Sequence, residues 1–218
     1  MSRASLKFLA IVVLAIVAGI VVYPHMPAQV VSHWNAAGQP DGTMSKFWGV
    51  FLLPLMLAIL LVVYLIIPRI DPLEKNIALF RGAYDAFWLG VALFMAYLYA
   101  LMLFYNTGSR FDFTIALVPA MALLFWLVGW LMARSKRNWF IGIRTPWTLS
   151  DDRIWEATHR LGGTLFRVAA VLMLGALAFP RELIWFVLIP VFVAAVVPVV
   201  YSYILYRRLA QEVKPLTP

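Results

Sequence analysis

The stretch FWGVFLLPLMLAILLVVYLII, residues 47–67, holds twenty-one consecutive residues without an Asp, Glu, Lys or Arg. A helix rises about 1.5 Å per residue, so a run of this length spans about 30 Å, the thickness of a bilayer's hydrocarbon core. Pro54 is tolerated there because neighbouring helices in a membrane protein can satisfy the carbonyl it frees. The run predicts a transmembrane helix, and the rest of the chain repeats the signal.

Comparable apolar runs lie at Leu6 to Tyr23, Tyr84 to Tyr105, Phe113 to Ala133, Thr164 to Phe179 and Leu183 to Tyr206, the fifth span being the shortest. With residues 47–67 they predict an all-α, polytopic membrane helical bundle of about six transmembrane helices. Composition agrees: 64% of the 218 residues are hydrophobic and 13% charged, with a mean hydropathy of +0.88, which excludes an ordinary soluble globule. A membrane β-barrel would show short alternating segments instead of continuous runs.

The net charge of +8 does not point to direct nucleic-acid binding, because the basic residues flank the apolar runs and form no single face. They set direction instead. One side receives Arg3 and Lys7, then Arg69, Lys75 and Arg81, then Arg134, Lys136, Arg137, Arg144, Arg153 and Arg160, then Arg207, Arg208 and Lys214; the other receives Lys46, Arg110 and Arg181. Positive charge accumulates on cytoplasmic loops, so both termini are expected to be cytoplasmic in a multi-pass protein of the inner (plasma) membrane. The basic leader and first run suit a secretory signal, yet no small-x-small cleavage site ends the run, and it is expected to stay as a span.

The three spans running inward carry FLLP (51–54), ALVP (116–119) and VLIP (187–190) at similar depth. Three related helical hairpins, or coincidence among membrane prolines, would both produce this. The middle of every span lacks ionisable side chains; Asp85, Asp112 and Arg167 lie near span ends, where snorkelling or capping is expected. This weakens transport or channel activity and leaves it as the alternative function. With no cysteine there is no disulfide framework and no thiolate metal site.

Chemistry concentrates in two loops. Between the first two spans, Tyr23-Pro24-His25-Met26-Pro27 precedes His33-Trp34-Asn35-Ala36-Ala37-Gly38-Gln39-Pro40-Asp41-Gly42. Asn35, Gly38 and Asp41-Gly42 favour tight turns, and Trp34 suits an interface or the cover of a helix mouth. A structured cap is expected. His25, His33 and Asp41 are suitable zinc ligands by type but match no compact ligand spacing, and no nucleophile stands with a positioned base. Neither a metal, another cofactor nor an enzymatic role is expected.

The other loop, 134–161, reads RSKRNWFIGIRTPWTLSDDRIWEATHRL. Gly142 permits a bend, and Pro146 pushes Thr145 toward extended geometry, so an extended turn is expected. Ser150 is a candidate N-cap, with Asp151 and Asp152 in the first turn of a short helix where the dipole favours negative charge. Ile154, Trp155, Thr158 and His159 share one side of that helix, against the bilayer surface or the bundle. His159 reads as a hydrogen-bonded packing residue more than a base. Arg144 is expected to bond carbonyls or the carboxylate of Asp151 or Asp152.

In this order and separation the two loops resemble the SdpI family of bacterial membrane proteins. The outer stretch, His33-Trp34-Asn35, Gly38 and Pro40-Asp41-Gly42 with Pro54 beyond, resembles the small uncharacterised N-terminal domain that often precedes the SdpI signature. The inner stretch, Asn138, Ile141-Gly142-Ile143-Arg144-Thr145-Pro146-Trp147-Thr148, Trp155 and His159, resembles the signature itself.

The resemblance implies a non-enzymatic membrane immunity or receptor-like protein that protects against, or senses, a membrane-active antimicrobial peptide. It also implies signalling to a cytoplasmic transcriptional repressor. Expected partners are membrane lipids, an extracellular peptide toxin and that repressor. Candidate binding residues are His33, Trp34, Asn35, Gly38, Pro40 and Asp41 outside, and Asn138, Gly142, Arg144, Thr145, Pro146, Trp147, Trp155 and His159 inside. The expected division is 1–68, a helical hairpin with its structured loop, and 69–218, a four-helix membrane region.

Overall fold

A computed structural model describes residues 2–35 and 37–212; Lys214 lies outside them. Eight helices and one hairpin follow in chain order: α1 (Arg3–Val22), β1 (Gln29–Trp34), β2 (Pro40–Ser45), α2 (Lys46–Ile70), α3 (Glu74–Leu79), α4 (Arg81–Asn106), α5 (Phe113–Met132), α6 (Pro146–Ser150), α7 (Asp152–Met173) and α8 (Leu183–Glu212). Six of these helices, α1, α2, α4, α5, α7 and α8, are long and apolar enough to cross a membrane. The protein is an all-α polytopic bundle.

An even number of spans returns the chain to the side it began on. One end of the bundle holds the β-hairpin and the α4–α5 and α7–α8 connections; the other holds the chain's start, α3, α6 and the end of α8. Leu14, Leu123 and Phe192 are 67%, 62% and 67% exposed on the bundle's flanks, an arrangement water would penalise and lipid tails accept.

Lipid tails are as apolar as leucine, so helices in a bilayer associate through close packing instead of water expulsion. α1, α2 and α4 pack together around Phe8, Leu57, Tyr64 and Tyr84, all buried. The second group is tighter: α7 packs closely on both α5 and α8. Gly129 and Gly163 make this possible, since a Cβ built on Gly163 would lie 2.6 Å from the Gly129 carbonyl oxygen. Pro54, Pro119 and Pro190 sit inside α2, α5 and α8 respectively.

Three local expectations change. The fifth span does not begin at Thr164. α7 runs unbroken from Asp152 to Met173, so the short helix expected after Ser150 and the membrane span are one element. Nothing in residues 160–164 stops a helix, and Gly162-Gly163 are used for packing instead of breaking. The cap is Asp151, whose carboxylate accepts from the Arg153 N–H, while Ser150 ends α6. The extended turn expected before Pro146 is present: Gly142 bends the chain at φ +103° and Thr145 is extended (φ −105°, ψ 161°). Pro146 opens α6, where its missing N–H costs nothing.

Asp85 is not a snorkelling residue. Its carboxylate accepts from Arg81 Nε at 2.8 Å and from the Tyr64 hydroxyl at 2.9 Å, tying α4 to α2. Asp112 caps α5 as expected, accepting from the Ile115 N–H at 3.0 Å. Arg167 donates to the Gly163 carbonyl at 3.0 Å.

Candidate functional site

The loop after α1 is ordered as an antiparallel hairpin, with Gln29 opposite Ser45, Val30 opposite Met44 and Val31 opposite Thr43. The register slips between Val31 and Trp34, so Trp34 faces Pro40. At the tip the Asn35 side-chain oxygen accepts from the Ala37 and Gln39 N–H groups at 2.9 and 3.1 Å, the short-range bonding that makes Asn a turn residue. His33 Nδ1 contacts the Asp41 carboxylate across the strands on the exposed face.

Three anchors seat the hairpin on the helices. Asn106, the last residue of α4, donates to the Val31 carbonyl at 2.9 Å and accepts from the Val31 N–H at 2.8 Å. Gly38 lies against the Asp112 carboxylate at the start of α5, where a Cβ would come within 2.8 Å. Trp34 stacks on Phe113 with ring centroids 3.9 Å apart and planes 7° apart, and meets Tyr105 edge-on at 5.1 Å. Below lies a cavity of about 450 Å³, lined among others by Trp34, Met44, Leu52, Leu98, Met102 and Phe113. The hairpin is its roof.

Residues 133–145 form the second assembly. Asn138 is fully buried and uses every donor and acceptor of its side chain. Its oxygen accepts from the Phe140 and Ile141 N–H groups, and its nitrogen donates to the Lys136 and Ile141 carbonyls. Gly142 has φ +103°, and a Cβ there would come within 2.2 Å of His159 Nε2. The loop thus presses its backbone onto α7. His159 Nε2 accepts from the Ile143 N–H at 2.9 Å, which leaves Nδ1 as the proton-bearing atom toward the Trp155 carbonyl, 2.8 Å away.

Trp155, Ile154, Thr158 and His159 are all buried, so this face of α7 packs on protein and not on the bilayer surface. The Trp155 indole donates to the Ser135 carbonyl at 3.0 Å and its ring stacks on His159 at 3.9 Å. Thr145 and Thr148 close a reciprocal cap around Pro146. Trp147 points the other way, donating to Ser202 of α8 at 2.6 Å beside Tyr203 and Tyr206.

Arg144 bonds a carbonyl, that of Trp139, at 2.7 Å. It does not reach Asp151 or Asp152, because those carboxylates lie 2.8 Å from Arg153 and Arg137 respectively. Lys136 pairs with Glu156 at 2.6 Å, so Lys136, Arg137 and Arg153 are each matched by a carboxylate. The Arg153 guanidinium holds the Asp151 carboxyl below the usual carboxylate range.

Two residues that sequence reading passed over hold the loop from outside it. The buried Asp71, just after α2, accepts from the Trp139 N–H at 2.9 Å and from the Leu73 N–H at 2.7 Å. Asn76 of α3 donates to the Arg137 carbonyl at 2.8 Å. Both stood in a short polar link that looked like a connector. On the hairpin side, Asn106 and Phe113 were missed because each borders an apolar run. Among the described residues, no three of His, Cys, Asp or Glu gather closely enough to hold a metal ion.

Comparison with known proteins divides along the same lines. Residues 134–202 match the SdpI/YfhL protein family, and residues 10–58 match a domain of unknown function (DUF1648). Over 200 residues the chain is 26% identical to a Bacillus subtilis (strain 168) protein named "Immunity protein SdpI", covering 91% of this chain and 94% of that relative. No solved structure matches the chain.

Proposed function

We propose, starting from a chain that carries the SdpI/YfhL region and is similar to an immunity protein along nearly all its length, that it protects its cell against a membrane-active peptide or senses one. The observation that carries this reading is the hairpin-roofed cavity of about 450 Å³. An amphipathic peptide arriving from outside offers apolar side chains, and the lining of Met, Leu and Phe side chains under Trp34 suits them.

The excess of Lys and Arg at the opposite end supports placing the hairpin outside the plasma membrane and both termini within the cytoplasm. Residues 1–68 then act as the receiving unit and 69–218 as the responding one, with 134–161 the face offered to a cytoplasmic repressor. His33, Asn35, Gly38, Pro40 and Asp41 shape and hold the roof that Trp34 completes. Asn138, Gly142, Arg144, Thr145, Pro146, Trp155 and His159 keep the inner loop in one geometry, and Trp147 couples it to α8. No step of this function requires catalysis.

Expression in peptide-sensitive cells tests the reading. Survival against at least one of a panel of linear amphipathic antimicrobial peptides is expected. Unchanged survival across the panel would overturn it, and solute or ion flux into proteoliposomes without any survival effect would move the reading to transport.

A further inference from the structure

The two edges of the hairpin are treated differently. Lys46 N–H donates to the Ala28 carbonyl at 3.0 Å, which fixes the alternation of the ladder. Val30 and Met44 form the next hydrogen-bonded pair, and Val31 with Thr43, like Gln29 with Ser45, turn their backbone groups outward. On the β1 side the outward groups of Val31 are both taken by the Asn106 carboxamide, which imitates a neighbouring strand.

On the β2 side the same alternation turns the Thr43 N–H and C=O and the Ser45 N–H outward from the hairpin, where they meet no hydrogen-bond partner among the described residues, and both residues are exposed. Native proteins guard such edges with charge, proline or cover, because an unpaired edge templates another strand. Here Pro40 and Asp41 guard only the tip, and Lys46 is drawn over the Tyr23 ring at 4.6 Å. Beside the open edge, Phe47 and Trp48 are 53% and 51% exposed.

We infer that the β2 edge receives a short extended segment of an apolar peptide by strand addition, pairing with Thr43 and Ser45. This rests on the proposed protective function and specifies how the peptide is held. Backbone pairing makes the site tolerant of sequence, and alternate side chains of the added strand fall on the face that Met44 shares with the cavity below or on the outer face with Thr43.

Ser45→Pro is the sharpest probe, since Ser45 already has φ −58° and makes no side-chain cap to α2. Proline there removes an outward donor and leaves the ladder intact. Thr43→Pro is the second variant, and Thr43→Val controls for side-chain chemistry alone. Each is compared with wild type for survival against the same peptide panel, with folding checked by gel filtration and circular dichroism in detergent. The peptides that wild type resists are also synthesised with alternate backbone nitrogens methylated and their binding to wild type in nanodiscs measured.

Both proline variants should fold yet lose protection, Thr43→Val should keep it, and methylation should weaken binding about tenfold or more, as losing two or three hydrogen bonds implies. Folded Ser45→Pro that protects like wild type, or methylated peptides that bind undiminished, would overturn strand addition while leaving the protective function standing. If wild type resists no peptide, the function fails, and strand addition with it.

Discussion

The carboxylate of Asp71 accepts the backbone N–H of Trp139 across 68 residues of chain, at 2.9 Å, so the end of α2 holds the loop that follows α5. The bond joins the helix group around α1 and α2 to the segment packed on α7.

Asp71→Ala should therefore loosen residues 134–145 without unfolding the bundle. Two backbone donors, those of Trp139 and Leu73, lose a buried acceptor, at a cost of about 1–3 kcal/mol each if water cannot replace it. Trypsin cleavage after Arg144 in inside-out vesicles should accelerate. A cleavage rate equal to wild type would dismiss the clamp.

Gly142→Ala meets two obstacles, a φ of +103° and the His159 ring. Left-handed backbone costs an alanine about 1–2 kcal/mol before any clash. For a chain of this length the melting temperature in detergent should fall by roughly 4 °C or more; no fall would contradict the backbone conformation at 142.

Trp155 separates hydrogen bonding from packing. Trp155→Phe removes the bond to Ser135 and should cost about 1 kcal/mol, whereas Trp155→Ala empties a fully buried site and should cost about 3–5 kcal/mol. Denaturation of the two variants in detergent distinguishes them, and equal losses would mean that the indole N–H dominates.

Asp151 gives a pH signature. Its carboxyl is held low chiefly by hydrogen bonding from Arg153. A lowered carboxyl stabilises the fold above its unfolded value, about 3.9, and that contribution disappears as pH falls through the lowered folded value. Asp151→Asn can still cap α7 but cannot titrate. Its melting temperature relative to wild type should lie lower at pH 7 and converge as pH falls through the lowered folded value; a constant gap would remove the charge argument.

Trp34→Ala should reduce protection more than Lys214→Ala, because Trp34 closes the cavity by stacking on Phe113. Survival curves of cells carrying each variant decide this, and equal loss would separate the cavity from protection.

Long apolar runs made the spans legible, because hydrophobic length is a property of the segment alone. The cap at the hairpin was legible as turns through Asn35 and Gly38, yet its strands were not. β1 and β2 are six residues each, and their stability depends on Asn106 and Phe113, distant in the chain. The inner loop's residue types were legible, but the partners of Arg144 and Asp152 were not, since several carboxylates lay within reach and packing chose among them. Asp71 gave no signal because a lone Asp after a helix has many uses.

The unbroken course of α7 has a mechanical meaning. Twenty-two residues at about 1.5 Å each make a rod of about 33 Å, with Trp155 and His159 fixed near one tip and Met173 buried near the other. A helix of that length is stiff, and α7 packs along both α5 and α8, so the inner loop stands at a fixed distance from the α7–α8 connection at the opposite end of the bundle.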